Sequence, residues 1–273
     1  MLNADRVGGV RAVIFDVSGT VVDYGSRGPV AAFVELFARH GVTVSEEDAR
    51  RPMGTHKRDH IRTMLSDPSI SRRWAEANGR TPTGADLDKL YADFTPLLTQ
   101  ILPRHSDVIP GVPEVVRQLR ARGIKIANTT GFDSGMMGDL IRLAGEGGYR
   151  PDLWVCPDQA GGGRPAPWMA FHAARKLDTY PMSTFVKVGD TLADIDEARA
   201  AGMWAVSVLR HGNEVGLSEE AVKQLAPREL EARMSAARAR LAVKEPHYII
   251  DATADLIPVV DEISARIARG ERP

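Results

Sequence analysis

One cysteine, Cys156, stands in a chain of 273 residues. A disulfide within the chain is therefore impossible, and so is a zinc site built from several thiolates. A reducing cytoplasm is the expected compartment. Charge of one sign is also missing. The chain has 35 Lys and Arg against 36 Asp and Glu, a formal net charge of -1. Nothing in that balance favours nucleic acid or an anionic membrane as a partner. No run of roughly 18 or more apolar residues appears, so no membrane-spanning helix is expected. Met1 to Val7 carry charges and lack the apolar stretch of a signal peptide. Internal repeats and low-complexity tracts are absent too. What remains is a composition of 43% hydrophobic and 26% charged residues, which suits one or two globular domains with a buried core.

The first clear element is Arg11-Ala-Val-Ile-Phe-Asp16, a short apolar run ending in a carboxylate and followed by Gly19. It predicts a buried strand leading into a turn. Ile124–Thr129, Leu153–Val155, Phe185–Val188 and Trp204–Val208 read the same way, and Tyr248–Ile250 as a possible last strand. Helical patterns lie between them, at Val112–Arg122, Met136–Ala144, Pro167–Leu177 and Thr191–Ala201. Alternating strands and helices predict an α/β fold, a Rossmann-like, doubly wound parallel sheet whose ligands bind at the carboxyl ends of the strands. From about Gly25 to Pro103 the rhythm breaks into helices only, at Val30–His40, Ser45–Leu65, Ser71–Asn78 and Thr83–Gln100. The expected division is a core over residues 1–24 and 105–273 with an all-helical cap, residues 25–104, inserted after the first strand. Ala226–Ala242, rich in Ala, Arg and Glu, reads as a solvated helix.

Four motifs carry possible chemistry, each with a plainer alternative. Asp16, in Asp16-Val-Ser-Gly-Thr20, sits at a strand end where a carboxylate can act as nucleophile and metal ligand, or simply cap a helix. Thr129-Thr130-Gly131 can hold phosphoryl oxygens, or be an ordinary polar turn. Gly161-Gly-Gly-Arg164-Pro165 offers an arginine that can neutralise a phosphoryl group, or a surface side chain on a loop. Val188-Gly-Asp190-Thr-Leu-Ala-Asp194 sets two carboxylates one helical turn apart, which suits Mg2+ alongside Asp16; Thr191-x-x-Asp194 fits a capping box equally well.

In this order at successive strand ends, the four motifs closely resemble the haloacid dehalogenase superfamily, with the helical insertion where its first cap class (C1) has it. Within that superfamily, phosphatases and mutases place an acid two residues after the nucleophile to protonate a leaving alkoxide. This chain has Ser18 there. Arg51-Pro-Met53-Gly-Thr-His-Lys57-Arg-Asp-His60 begins with a proline suited to a helix start, and Met53, Lys57 and His60 are spaced to share one helix face. The segment is similar to the lysine-bearing segment of the phosphonoacetaldehyde hydrolase family. Thr20-Val-Val-Asp-Tyr-Gly25, Gly123-Ile-Lys, Gly163-Arg-Pro-Ala-Pro-Trp-Met169 and Ala201-Gly-Met-Trp204 resemble that family as well.

The resemblance implies hydrolysis of a carbon–phosphorus bond. It makes Asp16 the nucleophile, Lys57 the Schiff-base residue and His60 a proton shuttle between imine and solvent. It makes Met53, Thr130, Gly131 and Arg164 substrate contacts. Asp16, the Ser18 carbonyl, Asp190 and Asp194 become the Mg2+ site, and the caps join a homodimer. A lysine imine supplies the electron sink that direct carbon–phosphorus cleavage lacks, so no acid is needed beside Asp16. Val17, Ser18, Ser26 and Phe132 stand where the family usually has Trp, Ala, Cys and Tyr; the changes at Val17, Ser26 and Phe132 bear on pocket shape or proton relays, while Ser18 would offer only its carbonyl. The competing expectations are a Mg2+-dependent phosphate monoesterase, a hydrolase of a related phosphono-aldehyde, and a silent protein that senses a phosphorylated metabolite.

Overall fold

The computed structural model describes residues 8–273. The charged stretch Met1 to Val7, with its signal-peptide reading, lies outside them. After β1 (Ala12–Phe15) come five helices, α1 (Arg27–Arg39), α2 (Glu46–Arg50), α3 (Lys57–Ser66), α4 (Pro68–Asn78) and α5 (Gly84–Ile101). Then α6 (Val112–Ala121), β2 (Lys125–Thr129), α7 (Gly138–Glu146), β3 (Leu153–Val155), α8 (Pro157–Ala160) and α9 (Trp168–Lys176) follow. The chain ends with β4 (Phe185–Gly189), α10 (Leu192–Ala201), β5 (Trp204–Val208), α11 (Glu219–Gln224), α12 (Pro227–Ala242), β6 (Tyr248–Ile250) and α13 (Leu256–Ala268).

The strands form one sheet in the order β3-β2-β1-β4-β5-β6, and every neighbouring pair is parallel. The order reverses beside β1, where the connections leave in opposite directions and open a crevice at the strand ends. Residue alternation divides the sheet into two faces. Val13, Phe15, Val186 and Val188 pack with α6, α7 and α13 on one side. Ala12, Ile14, Ala127 and Phe185 pack with α9, α10 and α12 on the other. Helix α12 is accordingly half-embedded rather than wholly solvated: Met234, Ala237 and Leu241 are buried, and its remaining face carries the charges.

The inserted helices bury Phe33, Phe37, Ile61, Met64, Trp74, Leu90 and Phe94 among themselves. Local signals set their ends. Ser45 and Asp48 close a capping box at α2, and Thr83 with Asp86 does the same at α5. Pro68 opens α4, and Gly79 ends it at φ 72.

One expected element is different. Helix α2 stops at Arg50 and α3 starts only at Lys57, so residues 51–56 are a turn. Pro52 does not begin a helix, and Met53 is not on the helix face shared by Lys57 and His60. Gly54 explains the break, because its backbone has φ 89, which a helix cannot use.

Candidate active site

Asp16 follows β1 directly, and its N–H donates to the Val188 carbonyl of β4 at 2.8 Å. It thus stands at the reversal of strand order. Asp190, after the end of β4, and Asp194, in the first turn of α10, join it. One oxygen from each of the three carboxylates lies within 4.8 Å of the others, and all three residues are buried. Burial and the neighbouring Asp16 and Asp194 push the Asp190 carboxyl well above its usual range. Burial also raises Asp16, against the pull of Arg164. Hard carboxylate oxygens crowded together out of water make a donor set that fits a divalent cation, whose charge would relieve the repulsion.

Asp190 is held at both oxygens. Thr20 Oγ1 donates to one at 3.0 Å and the Asn213 N–H to the other at 2.7 Å. Asp194 does two things at once. It closes the capping box with Thr191, whose hydroxyl donates to it at 2.6 Å, and it faces Arg164 at 3.0 Å and Lys187 at 3.1 Å. Burial alone would raise this carboxyl, but Arg164 and Lys187 hold it below the usual range.

Arg164 is buried rather than on the surface. Its guanidinium reaches Asp16 at 2.7 Å, Asp194 at 3.0 Å and Glu197 at 3.0 Å. Burial opposes its charge, yet Asp16, Asp194 and Glu197 outweigh that and hold the proton more firmly. Lys187 donates to Thr129 Oγ1 at 2.7 Å and pairs with the carboxylates of Asp194 and Glu197 at 3.1 Å each. Lys187 and Glu197 were not among the expected site residues. Two signals could have revealed them: a lysine inside the apolar run Phe185-Val-Lys-Val188, and a carboxylate three residues after Asp194 on one helix face. Asn128 was missed too. Its side-chain N–H group donates to the Phe15 and Asp16 carbonyls at 3.2 Å each, and Tyr149 donates to its oxygen at 2.6 Å.

Lys57 opens α3 and is 3% exposed. Its Nζ lies 4.8 Å from the Phe132 ring centre, 5.7 Å from that of Phe33 and 4.0 Å from Met53 Sδ. Burial in this apolar setting lowers the amine to about 8, and Asp16 only partly restores it. Lys57 lines one cavity together with Asp16, Ser18, Met53, Thr130, Gly131 and Arg164. The structure therefore gathers the expected nucleophile, amine and substrate contacts around a single space. Ser26 and Phe132, two positions of departure, line it as well. The Ser18 hydroxyl is buried and has no hydrogen-bond partner among the described residues.

His60 is fully buried and stacked on Phe33 at 3.8 Å between ring centres. Its Nε2 lies 2.9 Å from the Ala49 carbonyl, which can only accept, so Nε2 carries the hydrogen. Nδ1 is then a bare lone pair, without a partner among the described residues. Burial and Lys57 hold the ring neutral. Enclosed in this way, the ring has no direct contact with solvent in this structure.

The turn of residues 51–56 meets the strand-end loops closely. A Cβ on Gly54 would fall 2.2 Å from Thr191 Oγ1, and one on Gly131 would fall 2.3 Å from the Thr55 carbonyl oxygen. Gly131→Ala is therefore expected to keep the fold but push the inserted helices off the site. A displacement of that kind costs about a hundredfold in kcat/KM. Steady-state kinetics beside a thermal melt would check it, and unchanged kcat/KM would show the contact to be slack.

A buried carboxylate at a strand end, a Thr-Gly loop, a buried arginine and an aspartate cluster that could hold a metal ion, gathered where the strand order of a parallel sheet reverses, suit a phosphoryl-processing hydrolase. The family model of the haloacid dehalogenase-like hydrolases matches residues 10–202. A phosphonoacetaldehyde hydrolase of Nitratidesulfovibrio vulgaris is 46% identical over 97% of this chain and 95% of its own. One from Bacillus cereus is 42% identical over 93% and 96%. The crystal structure of a phosphonoacetaldehyde hydrolase-like protein from Oleispira antarctica superposes with a TM-score of 0.96 at 41% identity, each chain covered in full. The chain belongs to the haloacid dehalogenase-like hydrolases and, within them, to the phosphonoacetaldehyde hydrolase family.

Proposed function

We propose that this enzyme hydrolyses phosphonoacetaldehyde to acetaldehyde and phosphate. The observation that carries the proposal is the buried, apolar-walled Lys57, with its amine lowered to about 8, in the same cavity as Asp16. In this reading residues 25–104 act as a cap that brings the amine to a core, residues 1–24 and 105–273, that carries the nucleophile.

The neutral Lys57 amine adds to the aldehyde carbon, and loss of water leaves an iminium. Thr130 and the Gly131 N–H hold the phosphonyl oxygens, and Arg164 balances their charge. Met53 packs beside the amine. Asp16 attacks phosphorus; the carbon–phosphorus bond breaks and its electron pair passes into the iminium, forming an enamine. The enamine takes a proton on carbon, and water releases acetaldehyde and regenerates Lys57. A second water cleaves the aspartyl phosphate to phosphate and Asp16. His60 is not among the residues lining the cavity; neutral, with a bare Nδ1 and within the field of Lys57, it is the proposed proton relay of that amine from behind the cavity wall. Ser18 cannot act as a leaving-group acid, and this chemistry requires none there.

Asp16, Asp190, Asp194 and the Ser18 carbonyl are the groups that would hold Mg2+. The ion would supply positive charge to the phosphoryl oxygens and to the attacking carboxylate. Chelation is expected to abolish turnover and Mg2+ to restore it. Asp190→Ala is expected to weaken Mg2+ binding, measured calorimetrically, by about tenfold or more. Full activity of Asp190→Ala in metal-free buffer would reduce these aspartates to structural caps. A homodimer joined through the caps and a cytoplasmic location complete the reading. They rest on the family resemblance and the lone cysteine.

Phosphate release from phosphonoacetaldehyde tests the proposal, together with borohydride trapping mapped by peptide mass. An adduct on Lys57 supports it. Robust release without any lysine adduct would remove the imine from the mechanism, whereas release from phosphate esters and none from phosphonoacetaldehyde would point to a phosphate monoesterase instead.

A further inference from the structure

We infer that Asp133 is a positioning residue that latches the cap over the reacting groups by binding His56 and Tyr91 together. The inference rests on the hydrolase reading above. Asp133 directly follows Phe132, whose ring covers the Lys57 amine. His56 directly precedes Lys57 and occupies the N-cap position of α3 with no side-chain capping bond, which leaves its ring to Asp133. Tyr91 comes from α5. His56 Nε2 lies 3.0 Å from one Asp133 oxygen, and the Tyr91 hydroxyl donates to the other. A carboxylate only accepts, so both partners donate, and the two cap groups are joined through one core side chain.

The His56 side chain has little room to swing away. A Cβ on Gly163, the residue before Arg164, would fall 3.1 Å from the His56 Cβ. On the Asp133 side, the Ser134 N–H donates to Asp158 of α8 at 3.0 Å, which anchors the loop that carries Asp133. Three core segments, at Gly131, Asp133 and Gly163, thus grip the residues immediately before the amine. All three latch side chains are partly solvent-exposed: His56 and Asp133 are each 21% exposed at the side chain, and Tyr91 is half-buried. A latch of partly exposed groups, adjoining the cavity-lining residues Lys57 and Phe132 in sequence, can open for substrate.

The test compares Tyr91→Phe, Asp133→Asn, Asp133→Ala and the Tyr91→Phe/Asp133→Ala double variant. Each single change is expected to lower kcat/KM for phosphonoacetaldehyde, Asp133→Ala by about tenfold or more and Asp133→Asn by less, since an amide still accepts one bond. The double variant should fall no further than Asp133→Ala, because both changes cut one link. Amide hydrogen exchange over residues 54–57, measured with magnesium and inorganic phosphate, should rise in every variant, with the thermal midpoint nearly unchanged. Wild-type kcat/KM and exchange in Asp133→Ala, or losses that add in the double variant, would overturn the latch. If Asp133→Ala fails to fold, Tyr91→Phe decides the matter, since it removes a single oxygen. If the wild-type protein releases no phosphate from phosphonoacetaldehyde, the hydrolase reading falls, and the exchange measurement still decides the latch.

Discussion

Lys57→Arg is expected to end carbon–phosphorus cleavage while leaving the protein folded and the positive charge in place. A guanidinium stays protonated at any workable pH and cannot form the imine. Without the imine the leaving group is an unstabilised carbanion. A loss of about a thousandfold, or about 4 kcal/mol of transition-state stabilisation, is the least that follows. An enzyme that used this cation only as a clamp on substrate would tolerate arginine far better. The amine also sets a pH signature. Lysine is unreactive while protonated, and burial lowers Lys57 from 10.5 to about 8. At pH 7 roughly one amine in ten is then neutral, against fewer than about one in a thousand for an ordinary lysine. The imine-forming rate should therefore climb about tenfold per pH unit below the amine's pKa and level off above it. Rapid-quench borohydride trapping across pH reads this directly. A flat profile, or an adduct on another lysine, would remove Lys57 from the mechanism.

Asp16→Asn is expected to abolish phosphate release by at least about ten-thousandfold. An amide cannot attack phosphorus to form the acyl phosphate, and it is a poor ligand for a divalent cation. Asp190 and Asp194 cannot replace it, because their oxygens are engaged by Thr20, Asn213, Thr191 and Lys187. The substitution should still allow Lys57 to be trapped by acetaldehyde and borohydride, since imine chemistry does not need the nucleophile. Near-normal turnover in an Asp16→Asn protein verified by mass would sink the nucleophile assignment.

Much of this site was legible along the chain because its chemistry lies at strand ends. The apolar runs before Asp16 and Asp190 are strands buried on both faces, and the residue that follows such a strand must emerge at the sheet edge. That rule puts Asp16, Thr130 and Asp190 at the sheet edge with no knowledge of packing, while their roles come from the four motifs taken together as a family resemblance. Lys57 was found by resemblance, since a helical lysine shows no sign in its own sequence of being buried. The error at residues 51–56 has a local cause. Four- and three-residue spacing mimics a helix, and only the positive φ of Gly54, pressed against Thr191, breaks it. Glu197 and Lys187 stayed hidden for another reason. A charged residue in a core-facing position normally argues against burial, and only their mutual pairing with Arg164, Asp194 and Thr129 makes it tolerable.

By itself, then, the sequence determined the parallel α/β core, the helical insertion after the first strand, and the carboxylates and hydroxyls that follow the strand ends, with Arg164 only a candidate on the loop before α9. These depend on periodicity and on neighbours close along the chain. The tertiary structure alone decided how far the Lys57 amine is lowered, which tautomer His60 adopts, that Asp194 faces two cations, and that Asp133 meets His56 and Tyr91. Each of those depends on desolvation and on charges brought together from distant segments, and both act through space, falling off steeply with distance.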